Sequence, residues 1–252
     1  MIHFVGAGPG APDLITVRGA KLLAEADLVL YAGSLVNPAL LEGCRVGCTV
    51  RDTASMTLEE VLAAMEAAEQ RGETTVRLHT GDPSLYGAIR EQMDALDERG
   101  IPYDVTPGVS AFSGAAAALA AEYTLPGVSQ SVIITRMAGR TPVPAGEELH
   151  KLAAHGCTMV LFLSTGLLEQ VERELLAGGY SPDTPAAIVY KATWPEERVC
   201  RCTVSTLAAT AREHQITKTA LITVGDFLGN HYERSKLYDP DFTHGCRKGR
   251  TP

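Results

Sequence analysis

The chain has 252 residues, 45% of them apolar and 21% charged, with a formal net charge of −8. That is enough for one large domain or two compact ones, with the composition of a soluble globular protein. The acidic balance argues against a nucleic-acid partner, because phosphate binding needs a basic surface. No apolar run reaches the roughly 20 residues that cross a bilayer. The start, Met1-Ile2-His3-Phe4-Val5, lacks the basic stretch and apolar core of a signal peptide, so a cytoplasmic location is expected. Six cysteines (Cys44, Cys48, Cys157, Cys200, Cys202 and Cys246) show no paired CxxC spacing. They read as reduced thiols, and no metal site is expected.

In chain order, Ile2-His3-Phe4-Val5 reads as a short buried strand. Thr16 is placed to cap a helix through Lys21, Leu22, Leu23 and Glu25. Asp27 to Tyr31 is a second strand. Thr57-Leu58-Glu59-Glu60 is a capping box, followed by a helix through Val61, Leu62, Met65 and Ala68 that stops at Gly72. Thr75 to Leu78 is a strand that ends at Gly81-Asp82-Pro83. A helix from Ser84 to Gly100, a strand at Pro102 to Val105 and an alanine-rich helix from Phe112 to Ala121 follow. Strands alternating with helices predict an open, mostly parallel α/β sheet.

Thr124-Leu125-Pro126-Gly127 breaks this pattern and reads as a linker between domains spanning 1–123 and 128–252. The second half places strands at Ser131 to Thr135, Met159 to Leu163, Ala187 to Tyr190 and Ala220 to Val224. A helix at Leu167 to Leu176 and a proline-rich loop at Thr141 to Pro144 lie among them. The tail from Glu233 on is polar and reads as irregular.

Gly6-Ala7-Gly8-Pro9-Gly10 follows a strand and precedes a helix, the position of a dinucleotide-binding loop. Three features count against that use. Ala11 stands where the third glycine belongs. Pro9 and Pro12 remove backbone donors that phosphate needs. The second strand ends in Leu30-Tyr31-Ala32-Gly33, with no carboxylate for a ribose hydroxyl. Ligands of open parallel sheets lie at the carboxyl ends of strands. Four such ends carry small residues: 6–13, 32–36, 79–83 and 106–110. Asp82 is the carboxylate of the latter three, a candidate ligand partner or an N-cap. His79 is a weak candidate for a general base.

Taken together, Val5-Gly6-Ala7-Gly8-Pro9-Gly10 with Asp13-Leu14-Ile15-Thr16, Gly81-Asp82-Pro83 and Pro107-Gly108-Val109-Ser110 make the chain resemble the tetrapyrrole (corrin/porphyrin) methyltransferase family. Tyr31 to Val36, the run Gln130 to Thr141, Ala192-Thr193-Trp194-Pro195 and Ser235 to Pro240 are similar to its precorrin-4 and cobalt-precorrin-4 C11-methyltransferases. Ala32 stands where uroporphyrinogen methyltransferases carry an aspartate, which argues against that substrate.

The resemblance implies two α/β domains, a mostly parallel N-terminal sheet and a mixed C-terminal one, with the active cleft between them. It implies S-adenosyl-L-methionine as methyl donor, an anionic corrin precursor of the cobalamin route as substrate, and a homodimer. The motifs assign the donor to Pro9, Thr80, Gly81, Asp82, Leu85, Ser110, Ala111, Leu163 and Ala192. Gly8 and Gly10 leave room for a flat macrocycle. Ser34, Arg51, Arg136 and Arg140 are candidates for holding its polar groups, since a guanidinium grips a carboxylate with two bonds. No side chain is assigned as catalytic, because a sulfonium is already activated and alignment carries the reaction. Two further readings stay open: a methyltransferase of the same fold acting on another tetrapyrrole, protein or RNA, and a non-catalytic module that binds S-adenosylmethionine.

Overall fold

A computed structural model describes residues 1–250. The first half builds β1 (Ile2–Gly6), α1 (Val17–Glu25), β2 (Leu28–Tyr31), β3 (Thr49–Asp52), α2 (Leu58–Gln70), β4 (Thr75–His79), α3 (Arg90–Glu98), β5 (Tyr103–Thr106) and α4 (Ala111–Leu119). Its five strands lie in the order β3-β2-β4-β1-β5, all parallel. Two local signals set its helices. The Thr16 hydroxyl accepts from Gly19 N and starts α1. Thr57 and Glu60 close a reciprocal capping box on α2.

Strand alternation divides the core into two layers. Ile2, Phe4, Leu28 and Leu30 pack with Val61, Leu62 and Met65 of α2 and Leu96 of α3. Val5, Val29, Val76 and Leu78 pack on the other face with Leu23 of α1. The helix after β1 and the helix after β4 therefore cover opposite faces, although β1 and β4 are neighbours. That is a topological switch point, where open sheets of this type leave a crevice.

The second half builds β6 (Val132–Arg136), α5 (Leu149–Ala153), β7 (Thr158–Phe162), α6 (Leu168–Ala177), β8 (Pro185–Tyr190), β9 (Arg198–Thr203), α7 (Leu207–Glu213) and β10 (Ala220–Val224). The order is β6-β7-β10-β8-β9. Only β6 and β7 pair in parallel, so this sheet is mixed. Met159, Leu161, Ile188 and Ile222 of the sheet pack with Val171 and Leu175 of α6 and Leu207 of α7.

The chain forms two compact units, 1–115 with 191–197, and 116–190 with 198–250 as described. The division falls inside α4, earlier than the 124–127 segment. Gly114 packs against the Pro9 ring, whereas the Leu119 carbonyl accepts from Arg201 of β9 at 3.0 Å. Residues 124–129 form a turn held by Leu125 O. The helix expected from Ser84 starts only at Arg90. Tyr86 and Ala88 hold φ of 58° and 49°, which no right-handed helix accommodates. Strands β3 and β9 lie in stretches where no strand was expected.

Candidate active site

Five loops leave the carboxyl ends of the first sheet, and three of them touch backbone to backbone. Gly8 N donates to Gly81 O at 3.2 Å, and Gly81 N returns the bond to Gly8 O at 2.8 Å. A Cβ on Gly6 would lie 2.5 Å from Gly108 Cα and 2.7 Å from Gly81 O. A Cβ on Gly108 would lie 2.1 Å from the same oxygen. The small residues at Gly6, Gly81 and Gly108 thus serve loop-to-loop packing.

The glycine loop is no phosphate cradle. Ala7 N donates to His79 O at 2.7 Å, Gly8 N to Gly81 O, and Ala11 N to Thr193 Oγ1 at 3.0 Å. Pro9 has no N–H. Donors that would meet a pyrophosphate are used inside the protein. Gly8 and Gly10, expected to face a macrocycle, are buried. The space beside Gly10 is filled by Trp194, whose Cδ1 would lie 2.1 Å from an added Cβ. These two glycines shape the loop from within.

Of the residues assigned to the methyl donor, Pro9, Thr80, Gly81, Asp82, Leu85, Ser110, Ala111 and Ala192 belong to the first unit. An Ala111 N lies 3.2 Å from a Cβ built on Gly81, so the turn after β4 meets the start of α4. Thr80 Oγ1 is buried without a hydrogen-bond partner. A buried hydroxyl without a partner is disfavoured, and a ligand group satisfies it. Asp82 is used by its own loop. One carboxylate oxygen accepts from Ser84 N at 2.9 Å and from the Ser84 hydroxyl, the other from Gly108 N at 2.8 Å. Burial opposes its charge, but the bonds from Ser84 and Gly108 outweigh it and hold the carboxyl below its ordinary range.

His79 is 4% exposed, its ring centroid 6.0 Å from that of Phe4, and its Nε2 has no partner. Burial, and then the neighbouring Arg77 charge, pull its pKa down to about 3. It is neutral at physiological pH and too weak a base to take a proton from substrate. Arg77 is itself buried, donating to Gln92 Oε1 and Leu30 O, each at 3.2 Å.

In the second unit, Leu163 follows β7 with φ 53° and stands 66% exposed. The buried Ser164 hydroxyl fixes this corner, donating to Phe162 O at 2.7 Å and accepting from Met137 N at 2.8 Å. Arg136 donates to Met137 O, Thr141 O and Pro142 O at 3.4, 3.2 and 2.6 Å. Its guanidinium staples the loop after β6. Arg140 and Arg51 are exposed, Arg51 on edge strand β3. The side chain of Ser34 lies outside the described residues.

Four residues that bear on this site were not assigned to it from sequence. Asn37 Nδ2 donates to Gly10 O at 2.8 Å, and Asn37-Pro38 is a readable cap signal. Asp52 ends β3 beside Gly33, its Oδ1 2.9 Å from a Cβ built there. Thr193 and Trp194 hold the glycine loop from a distant stretch of chain. Among the described residues, no group of three or more His, Cys, Asp or Glu side chains is placed to hold a metal. No helix among them is long and apolar enough to cross a membrane.

Residues 1–208 match the family of Tetrapyrrole (Corrin/Porphyrin) Methylases. The chain is 50% identical to a cobalt-precorrin-4 C(11)-methyltransferase of Priestia megaterium, over 98% of each chain. It is 48% identical to a precorrin-4 C(11)-methyltransferase of Mycobacterium tuberculosis, over 90% of this chain and 91% of that one. Among solved structures it superposes on a cobalamin biosynthetic enzyme, cobalt precorrin-4 methyltransferase, with a TM-score of 0.89 and 48% identity, over 91% of this chain and 96% of the other. A uroporphyrin-III C-methyltransferase of Thermus thermophilus, complexed with S-adenosyl homocysteine, follows at 0.74 and 26%, over 90% and 92%. The chain belongs to the tetrapyrrole (corrin/porphyrin) methylase family.

Proposed function

We propose that the protein is an S-adenosylmethionine-dependent C-methyltransferase that methylates carbon 11 of precorrin-4 or its cobalt form in cobalamin biosynthesis. The observation that carries this reading is near-full-length identity of 48–50% to relatives bearing that activity. Two uroporphyrin-type methyltransferases stand lower, at 26% and 33%. Ala32, where uroporphyrinogen methyltransferases carry an aspartate, points the same way.

The donor set fits an adenosyl ligand. Thr80 offers a buried, unpartnered hydroxyl, Leu163 offers exposed apolar surface, and Gly81 with Ser110 and Ala111 forms a close turn. Within the first unit, Pro9 and Ala192 supply apolar contact at the start of α4, where both face Gly114. Asp82 supports this set by fixing the 82–84 turn and Gly108. Bound there, S-adenosylmethionine supplies a methyl group already activated on a sulfonium. The chain's task is to orient the acceptor carbon and exclude water, a contribution of roughly 7–11 kcal/mol in well-aligned systems.

The substrate is an anionic macrocycle, so the acidic protein needs local cations. Arg51 and Arg140, both exposed, are assigned to its carboxylates, and Ser34 to a polar contact. Arg136 acts there through the loop it staples, with donors to spare among its five N–H groups. Gly8 and Gly10 serve by giving the loop its shape. After transfer the macrocycle sheds the added positive charge by losing a proton elsewhere on the ring, with no strong base required. The family resemblance supports a homodimer.

The test incubates the protein with methyl-labelled donor and a trimethylated corrin precursor, with and without cobalt. Transfer of one label per macrocycle to carbon 11, located by NMR, is expected. Donor binding without transfer would reduce the protein to a binding module.

A further inference from the structure

Residues 191–197 leave β8 and belong by their contacts to the first unit. They lie on the glycine loop as a strap. Trp194 Nε1 donates to Pro9 O at 3.2 Å, and Thr193 Oγ1 accepts from Ala11 N at 3.0 Å. Between these bonds, Gly10 lies against the indole and against Ala192 O, where a Cβ would come within 2.4 Å of Nε1 and 2.9 Å of the carbonyl. On the remaining side Asn37 binds Gly10 O. Residues 9, 10 and 11 are thus each held from outside the loop.

The strap itself is strained. Lys191 and Thr193 hold φ of 47° and 68°, and a β-branched residue at positive φ is disfavoured. The strain is held by Glu197, which accepts from Thr193 N at 2.6 Å, and by the backbone bonds Trp194 N to Lys191 O and Glu197 N to Trp194 O, both 3.0 Å. Lys191 Nζ stands 4.8 Å from the centre of the Trp194 ring and 3.4 Å from Glu196. Such over-determined strain is characteristic of ligand clamps.

Resting on the function proposed above, we infer that Trp194 is a positioning residue for the methyl donor. Its indole lies behind two donor contacts at once. It bonds the Pro9 carbonyl directly, and it stands two residues from Ala192 on the same strap. The Pro9 ring and the Ala192 methyl both face Gly114 of α4, where an added Cβ would meet them at 2.7 and 3.6 Å. Trp194 fixes the spacing of these two surfaces. In this role it acts through Pro9 and Ala192.

The test is isothermal titration of S-adenosylhomocysteine into wild type, Trp194→Phe and Trp194→Ala, with thermal midpoints measured alongside. Trp194→Phe keeps an aromatic plane on Gly10 and loses the bond to Pro9. It is expected to bind one equivalent roughly threefold to tenfold more weakly, the loss of a part-buried hydrogen bond, with a midpoint near wild type. Its KM for the tetrapyrrole should stay within about twofold. Trp194 is the one tryptophan of the chain, so the ligand should also change wild-type indole fluorescence, with the calorimetric midpoint. Unchanged affinity in Trp194→Phe overturns the inference even if Trp194→Ala fails to fold. No binding to wild type would instead overturn the functional reading, and the inference with it.

Discussion

Gly8 and Gly81 exchange a pair of backbone hydrogen bonds, at 3.2 and 2.8 Å, across the switch point between β1 and β4. Two loops that would otherwise be independent become one surface, with Gly6 and Gly108 packed beneath it. Gly6→Ala places a methyl 2.5 Å from the Gly108 backbone, and no flexible side chain is there to yield. Overpacking of this kind costs about 1–3 kcal/mol. Urea unfolding of Gly6→Ala should show that loss, together with weaker S-adenosylhomocysteine binding. A variant as stable as wild type would remove the three-loop contact from the account.

Thr80→Val separates stability from binding. The buried hydroxyl has no partner in the free protein, so replacing it with a methyl leaves stability unchanged or raises it by up to about 1 kcal/mol. If the hydroxyl meets the donor, affinity falls at the same time. Opposite movements of the unfolding midpoint and of calorimetric affinity are expected. Unchanged affinity would remove Thr80 from the donor set.

These features differ in how far the sequence announced them. Thr16 and the Thr57–Glu60 box act within one turn of helix, so spacing alone revealed them. β10, an apolar run of Ala220–Val224, was equally plain. β3 was not, because all four of its residues are exposed and carry no alternation. β9 is an edge strand with Arg198 and Arg201 on it, which hides the period. The Ser84 helix failed because two residues at positive φ leave no mark in side-chain pattern. The clasp of Thr193 and Trp194 on the glycine loop joins positions 182 and 185 residues apart. No local rule reaches that far, although Trp194 stood in a motif that resembled the family.

Acid should unfold this protein partly through His79. An unfolded histidine takes a proton near its ordinary pKa of 6.5, whereas the buried ring resists protonation down to about 3. Below 6.5 the unfolded state therefore binds the extra proton, and stability falls as pH drops through that window. Above 6.5 the group contributes nothing. By pH 5 the loss amounts to about 2 kcal/mol. His79→Gln abolishes this titration, so its stability should fall about 2 kcal/mol less than that of wild type between pH 7.5 and pH 5. Urea unfolding at the two pH values measures both slopes, and equal slopes would show that His79 protonates freely in the fold.

Arg136 allows two explanations of a weakened tetrapyrrole KM to be told apart. Three backbone carbonyls of residues 137–142 accept from its guanidinium, and hydrogen bonds to a charged group contribute about 1.5–3 kcal/mol each where solvent is excluded, less on this half-exposed rim. Arg136→Ala should speed amide hydrogen exchange across 137–144 and raise the KM for tetrapyrrole, while the affinity for S-adenosylhomocysteine holds. Arg136→Lys keeps the charge but not the planar fork, and should fall between the two in exchange. A raised KM with exchange unchanged would mean that the guanidinium meets substrate carboxylates itself. Recovery of KM in Arg136→Lys without recovery of loop protection would say the same, since a point charge attracts a carboxylate but does not bridge three carbonyls.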